Sequence, residues 1–273
     1  MNRSASPRKT IVLTGAAGKV ATLLRPLLAE IYTVRLTDRE RVTNLRENET
    51  FARTDLADLE ELRAAISGAD AIIHLGGISS ESTFFRIFPA NIDGTQNVFE
   101  AAVLEGVERI VFASSGHVNG FYRRNERVGA RHRTRPDTLY AVSKICGEEI
   151  ARVYAEAGQL SVFCIRIGNV LNSPTDETQL SIWISPRDLM QLIELGLRCD
   201  LGYEIVYGIS RNSMAWWDNK RATELGYAPR DSADEYASRI NYDPQLAPGT
   251  PISKFLQGGG FASRDFSGSM DRL

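Results

Sequence analysis

TIVLTGAAGKVA, residues 10–21, sets an apolar run of strand length against a glycine turn that opens onto helix-forming residues. The β-branched and apolar residues TIVLTG suit a buried strand, and KVATLLRPLLAEI (19–31) spaces its apolar positions as one face of a helix. Between them Gly15 and Gly18 let the backbone turn tightly and approach a pyrophosphate, whose charge is favoured at a helix N-terminus. Ala21 takes the third small position, where helix packs closely on sheet. Asp38 follows Gly18 by twenty residues, at the end of a second strand TVRLTD (33–38). An acid at that place accepts hydrogen bonds from the ribose diol of an adenine dinucleotide and repels a 2′-phosphate, so NAD is expected over NADP, with Arg39 pulling the other way.

Outward from this unit the pattern repeats. AIIHLGG (71–77), RIVFASS (109–115) and SVFCIRIGNV (161–170) read as strands, and residues 57–68, 91–106 and 137–158 as amphipathic helices between them. Strict alternation implies parallel pairing through right-handed crossovers, hence an α/β fold with a Rossmann-type doubly wound parallel sheet. After residue 170 the alternation becomes irregular: SPRDLMQLIELGLRC reads as a helix, YEIVYG as a short strand, ADEYASRI as a helix, and the glycines of QGGGF as a flexible end. The expected organisation is a loose tail at 1–8, an NAD-binding Rossmann domain at 9–170, and a small substrate-capping region of the same domain at 171–273.

Bulk properties narrow the function. A 273-residue chain with 43% hydrophobic residues can bury a sizeable core. Lys+Arg 32 against Asp+Glu 34 gives a net charge of -2, which argues against nucleic acid as a partner. Cys146, Cys164 and Cys199 are far apart, with no C-x-x-C and no histidine pair nearby, so neither a disulfide framework nor a metal site is expected. MNRSASPRK runs straight into the first strand without a signal-length apolar stretch, and no run approaches the ~18 apolar residues of a membrane span. A cytoplasmic protein without membrane contact is the expectation.

In doubly wound sheets ligands bind beyond the carboxyl ends of the strands. The expected cofactor contacts are therefore Gly15, Ala17, Gly18, Lys19 and Val20 after the first strand, Asp38 after the second, and Asp55 and Leu56 in TDLAD. Leu75, Gly76, Gly77, Ser114 and Ile167 complete the set with Tyr140 and Lys144. Asp55 has two readings, an adenine contact or the cap of a helix start.

The stretch YAVSK (140–144) places Tyr140 four residues before Lys144 on one helix face. Tyrosine, with an ordinary pKa of ~10, is a poor base at neutral pH; an ammonium one turn away and a cationic nicotinamide ring both favour its ionised form. Ser115, at the end of a neighbouring strand, is placed to hold a substrate hydroxyl while the phenolate removes its proton.

Together Gly15, Gly18, Asp38, Ser115, Tyr140 and Lys144 resemble the extended branch of the short-chain dehydrogenase/reductase superfamily. IIHLGGIS, RIVFASS.H, RPD.LY.VSK, IRIG, LS.W, VYG.S, WWDN and QGG.F extend the resemblance along most of the chain to the uronate dehydrogenases. That resemblance implies NAD-dependent oxidation of the C1 hydroxyl of a cyclic sugar acid to a lactone. It gives Ser115, Tyr140 and Lys144 as the catalytic set, and Ser79, Gly116, His117 and Asn169 as substrate-side positions. Ser79 has the alternative reading of a turn cap and His117 that of a packed histidine; His74 is expected in the core and His132 in solvent. A homo-oligomer, by resemblance a dimer through helices 91–106 and 137–158, is expected.

Three departures stand out. Gly116 and Asn169 replace an asparagine and a serine of the family pattern, and the arginine that there clasps the C6 carboxylate aligns with Thr178. Threonine cannot supply a bidentate cationic grip. The substrate is then a uronate held by another arginine, a hexose with a different C6 anion such as a sulfonate (sulfoquinovose), or a neutral aldose. Arg86, Arg123 and Arg124 are the candidate replacements, each with the alternative of a solvated surface charge. A nucleotide-sugar epimerase or dehydratase is a rival whose substrate region normally exceeds the roughly 100 residues after Asn169. A non-catalytic NAD sensor has no need of the Tyr140 and Lys144 pair.

Overall fold

The structure is a computed structural model that describes residues 8–240, 252–264 and 266–268. Seven parallel strands form one sheet: β1 (Thr10–Thr14), β2 (Thr33–Asp38), β3 (Glu49–Arg53), β4 (Ala71–His74), β5 (Arg109–Ser115), β6 (Ser161–Ile167) and β7 (Tyr203–Gly208). Their order across the sheet is β7-β6-β5-β4-β1-β2-β3. The direction of winding reverses between β1 and β4, which leaves a crevice at their carboxyl ends. Register aligns those ends: Thr14 pairs with Thr37 and with His74, and Ile167 with both Ser115 and Gly208.

Five longer helices cover the two faces: α1 (Lys19–Ile31), α2 (Leu59–Ile66), α3 (Gly94–Leu104), α4 (Leu139–Glu156) and α5 (Pro186–Arg198). The two-residue period of β1 divides the core. Ile11 and Leu13 pack with Leu24 and Leu28 of α1 and Leu189 and Ile193 of α5. Val12 faces the other way, onto Leu62, Val98, Phe99 and Ala151 of α2, α3 and α4. All of these are at most 1% exposed, and burying each leucine, isoleucine or phenylalanine contributes about 1.5–3 kcal/mol.

The strand β3, ETFAR, was not expected, because it carries no apolar alternation. Its inward residue is Glu49, whose carboxylate accepts from Arg25 Nε at 3.0 Å and Nη2 at 2.6 Å, and from the Arg46 amide at 2.9 Å. Burial opposes ionisation of Glu49, yet the Arg25 hydrogen bond and the Arg46 amide hold its carboxyl below the ordinary value. An edge strand with an inward charge also discourages pairing with other chains.

Two other expectations need correction. The division at residue 170 does not follow the sheet: α5 and β7 lie beyond it and supply a covering helix and the edge strand, with Tyr203–Gly208 in register on Val162–Ile167. The glycines of QGGGF are not a flexible end. Leu256 is buried, Gln257 Nε2 donates to the Arg123 and Glu126 carbonyls at 3.0 and 2.9 Å, and the Gly258 amide donates to Gly120 at 2.9 Å. The loose tail expected at 1–8 lies outside the described residues except for Arg8, whose guanidinium donates to the Ala29 carbonyl at 3.0 Å. Among the described residues no helix is long and apolar enough to cross a membrane.

Candidate active site

The crevice at the β1/β4 switch is a cleft of about 740 Å³. Its walls include Gly15, Ala17, Gly18, Lys19, Val20, Asp38, Asp55, Leu56, Leu75, Gly76 and Gly77, eleven of the residues expected to meet the cofactor, together with Ser79 and Arg86. Gly15 has φ +68, and a Cβ there would come within 2.7 Å of the Gly76 amide nitrogen, so the two loops approach as only glycine allows. Gly18 is the N-cap of α1 and offers no side-chain cap, which leaves the first-turn amides of a 13-residue helix for an anion. Asp38 Oδ2 accepts from the Ala17 amide at 3.0 Å and Oδ1 from the Glu40 amide at 2.9 Å, so one carboxylate ties the end of β2 to the glycine turn. Asp55 Oδ1 accepts from Ala57 at 3.0 Å while also lining the cleft; the cap of α2 is Asp58. The residues present fit a dinucleotide. Asp38→Ala is expected to weaken NAD about 10- to 100-fold, while turnover at saturating NAD changes little. Titration calorimetry showing unchanged affinity would remove the ribose assignment.

At the far end of the cleft, Ile78 exchanges hydrogen bonds with Asn91 at 2.7 and 2.9 Å, and Asn91 Nδ2 also donates to Ser143 Oγ at 2.9 Å. Glu81 Oε2 accepts the Tyr140 amide at 2.9 Å, and Thr138 Oγ1 caps α4 through Ala141 at 3.1 Å. The cleft wall and the tyrosine helix are thus tied together by side chains. Nothing local in the sequence marks Glu81 or Asn91, because Glu81 meets a backbone amide 59 residues away and Asn91 bridges Ile78 to the Ser143 hydroxyl, 52 residues on.

Tyr140 and Lys144 lie on α4, and Ser115 ends β5. Burial pushes the Tyr140 phenol above its ordinary value; a hydrogen bond with the Ser115 side chain pulls it down, and the Asp137 carboxylate adds to the rise. Lowering by Lys144, expected from the sequence, is not what governs the phenol. The Lys144 ammonium donates to the Ala113 carbonyl at 2.9 Å and stands 5.9 Å from the Tyr140 ring centre. Burial brings Lys144 itself down to about 8, with Glu148 opposing.

Beneath the site, Glu148 and Arg166 form a buried bidentate pair at 2.8 and 2.7 Å. Ser114 Oγ donates to Glu148 Oε1 at 2.5 Å, so its hydroxyl faces this pair and not the cleft. Ile167 sits at the end of β6 beside Ser115, and Asn169 lies in a short parallel pairing with Trp183. A side chain at Gly116 would overlap the Trp217 ring, which is stacked on Tyr207 at 4.8 Å. The Gly116 departure is therefore filled by an indole. His74 is fully buried between Thr14 and Thr95 at 2.7 and 3.1 Å, and burial lowers it to about 3. His132 is exposed, as expected.

His117 adjoins the catalytic candidates. Its amide donates to Ser115 Oγ at 3.2 Å, and its Nδ1 is 2.7 Å from Asp137 Oδ2. Asp137 was read only as a helix start; its place in RPD.LY was the one available signal. Of the three candidate arginines, Arg86 is exposed on the cleft wall and Arg123 bridges to Leu256. Arg124 reaches Thr178: its Nη2 donates to Thr178 Oγ1 and to the Ser253 carbonyl, each at 3.0 Å, its Nε to Leu256 at 3.2 Å, and its guanidinium lies 4.8 Å from the Trp216 ring centre. A second, more open groove of about 660 Å³, lined by Arg127, Ser210, Trp217 and Lys220 among others, holds none of the expected residues.

Sheet order, glycine turn and acid after β2 define a dinucleotide-binding protein of the doubly wound class, with a serine, tyrosine and lysine at the carboxyl edge. Residues 11–185 match the NAD dependent epimerase/dehydratase family, and the chain belongs to that family. It is 41% identical over 262 residues to a uronate dehydrogenase of Pseudomonas putida, covering 94% of this chain and 97% of that one. An NAD-dependent glucose-6-phosphate dehydrogenase of Haloferax volcanii is 36% identical over 248 residues, covering 83% and 95%. The crystal structure of uronate dehydrogenase from Agrobacterium tumefaciens superposes with a TM-score of 0.87 at 39% identity, covering 93% of this chain and 96% of the other.

Proposed function

We propose that this protein oxidises the C1 hydroxyl of a cyclic aldose bearing an acidic group to the corresponding lactone, with NAD as acceptor. The chain is an NAD-dependent oxidoreductase acting on a CH–OH group, in line with its sugar-dehydrogenase relatives. The observation that carries the C1 chemistry is the convergence of Ser115, at the end of β5, with Tyr140 and Lys144, one helical turn apart on α4, whose backbone is tied to Glu81 at the Tyr140 amide. Ser115 orients the substrate hydroxyl and Tyr140 takes its proton as the phenolate, which the cationic nicotinamide ring of bound NAD favours against the rise caused by burial, with Lys144 adding positive charge on the same helix face. The Gly15–Val20 turn and Asp38 would hold NAD, which when bound would accept the hydride leaving the same carbon.

The substrate's far end is read, in this proposal, by Arg124. Its hydrogen bond to Thr178, the residue that aligns with the family's arginine, supports this reading, since the guanidinium comes there from a different loop. Hydrogen bonds to Thr178, Ser253 and Leu256 and the Trp216 ring hold its plane, and a fixed guanidinium suits a planar or tetrahedral oxyanion. A C6 carboxylate is the first reading. A C6 sulfonate is the second, because Thr178 is shorter than the residue it replaces.

The test is kcat/KM, read as NADH formation, for glucuronate, galacturonate, 6-sulfonated glucose, glucose 6-phosphate and glucose. An anionic sugar is expected to lead, and Arg124→Ala to cost it about 10- to 100-fold while leaving glucose little changed. Glucose in the lead, or an equal loss on glucose, would overturn the anion reading.

A further inference from the structure

Asp137 is sealed inside the protein next to an imidazole that is not. Its side chain has no exposed surface, whereas the His117 side chain keeps 28%. Oδ2 is 2.7 Å from His117 Nδ1, and Oδ1 accepts from Thr138 Oγ1 at 3.0 Å. Gly120 and Gly258, from two separate segments, leave room for that carboxylate: a Cβ on either would overlap Oδ2. Phe261 closes over the imidazole with 4.3 Å between ring centres and a tilt of 33°. On its other side His117 meets Tyr140 edge to face at 6.2 Å, and its amide holds Ser115 Oγ.

A carboxylate only accepts hydrogen bonds, so Nδ1 of a neutral imidazole must carry the hydrogen, and Nε2 is left with its lone pair. We propose that Asp137 is a positioning residue: it fixes His117 in the tautomer whose Nε2 accepts, and that Nε2 receives a sugar hydroxyl next to the carbon handled by Ser115 and Tyr140. This rests on the proposed sugar oxidation. It assigns the C-terminal segment a part in the reaction, since Gly258 and Phe261 enclose the pair.

Two measurements test it. Nitrogen-15 NMR of His117 in the full-length protein at neutral pH should show hydrogen on Nδ1 and a lone pair on Nε2; the opposite tautomer overturns the proposal. This reading needs no variant to fold. Second, kcat/KM for the best sugar is compared in Asp137→Asn, His117→Gln and the double variant, with thermal melting as the folding check. Each single change is expected to cost about 10- to 100-fold, and the double variant no more than the larger single loss, because Asp137 acts through His117. Losses that multiply overturn the proposal. If the unaltered protein oxidises none of the sugars with NAD, the sugar oxidation itself has failed. Turnover with multiplying losses removes only the role of Asp137.

Discussion

Tyr140→Phe is expected to lower kcat by about 10²- to 10⁴-fold, the usual worth of a positioned general base, while NAD affinity stays within roughly threefold. The change removes one oxygen. The ring keeps its place, 7% exposed, against His117 and under the Glu81 cap, so the fold of α4 is not at risk. Ser115 keeps the His117 amide as its donor. Initial rates beside NAD titration calorimetry decide the matter. A variant that retains a tenth of its turnover would show that another group takes the proton.

Lys144→Met is the second large effect, and it has two signs. Turnover should fall by a factor similar to that for Tyr140→Phe. Stability should rise. Burial takes Lys144 from an ordinary 10.5 down to about 8, a differential of roughly 3 kcal/mol against the charged form. Its hydrogen bond to the Ala113 carbonyl returns only part of this, about 1 kcal/mol. Because the folded value is depressed, the unfolded chain binds more protons between about pH 8 and 10.5. The destabilisation is therefore fully present below about pH 8 and fades as pH rises toward 10.5. Lys144→Met should raise Tm by about 4–8 °C at pH 7, and by much less at pH 9.5. Melting curves at both values test this; a lower Tm at pH 7 would mean that the ammonium is a net stabiliser.

Much of this was legible in the sequence, for a physical reason. Six of the seven strands and all five long helices announce themselves by apolar period, because buried faces must be apolar. The strand Glu49–Arg53 did not, since an arginine and a glutamate hold its inward side. The residues that line the cleft were legible because a pyrophosphate demands glycine in one place and an acid a fixed distance on. Arg124 was visible only as one of three, and nothing local marked it; its partners Thr178, Ser253 and Leu256 lie 54, 129 and 132 residues away. The packing of Gly258 was misread because a glycine run signals freedom in sequence, whereas here it makes space for a carboxylate.

The segment from Ile252 to Arg264 packs on Gly120, Arg123 and His117, well away from the glycine turn. Every wall of the dinucleotide cleft comes from residues 15–90, whereas Phe261 and the carbonyls that orient Arg124 come from the last few dozen. The cradle and the surroundings of Arg124 are therefore built from segments far apart in the chain. Substitutions confined to residues 252–264 thus reach the surroundings of His117 and Arg124 without touching a single wall of the nucleotide cleft.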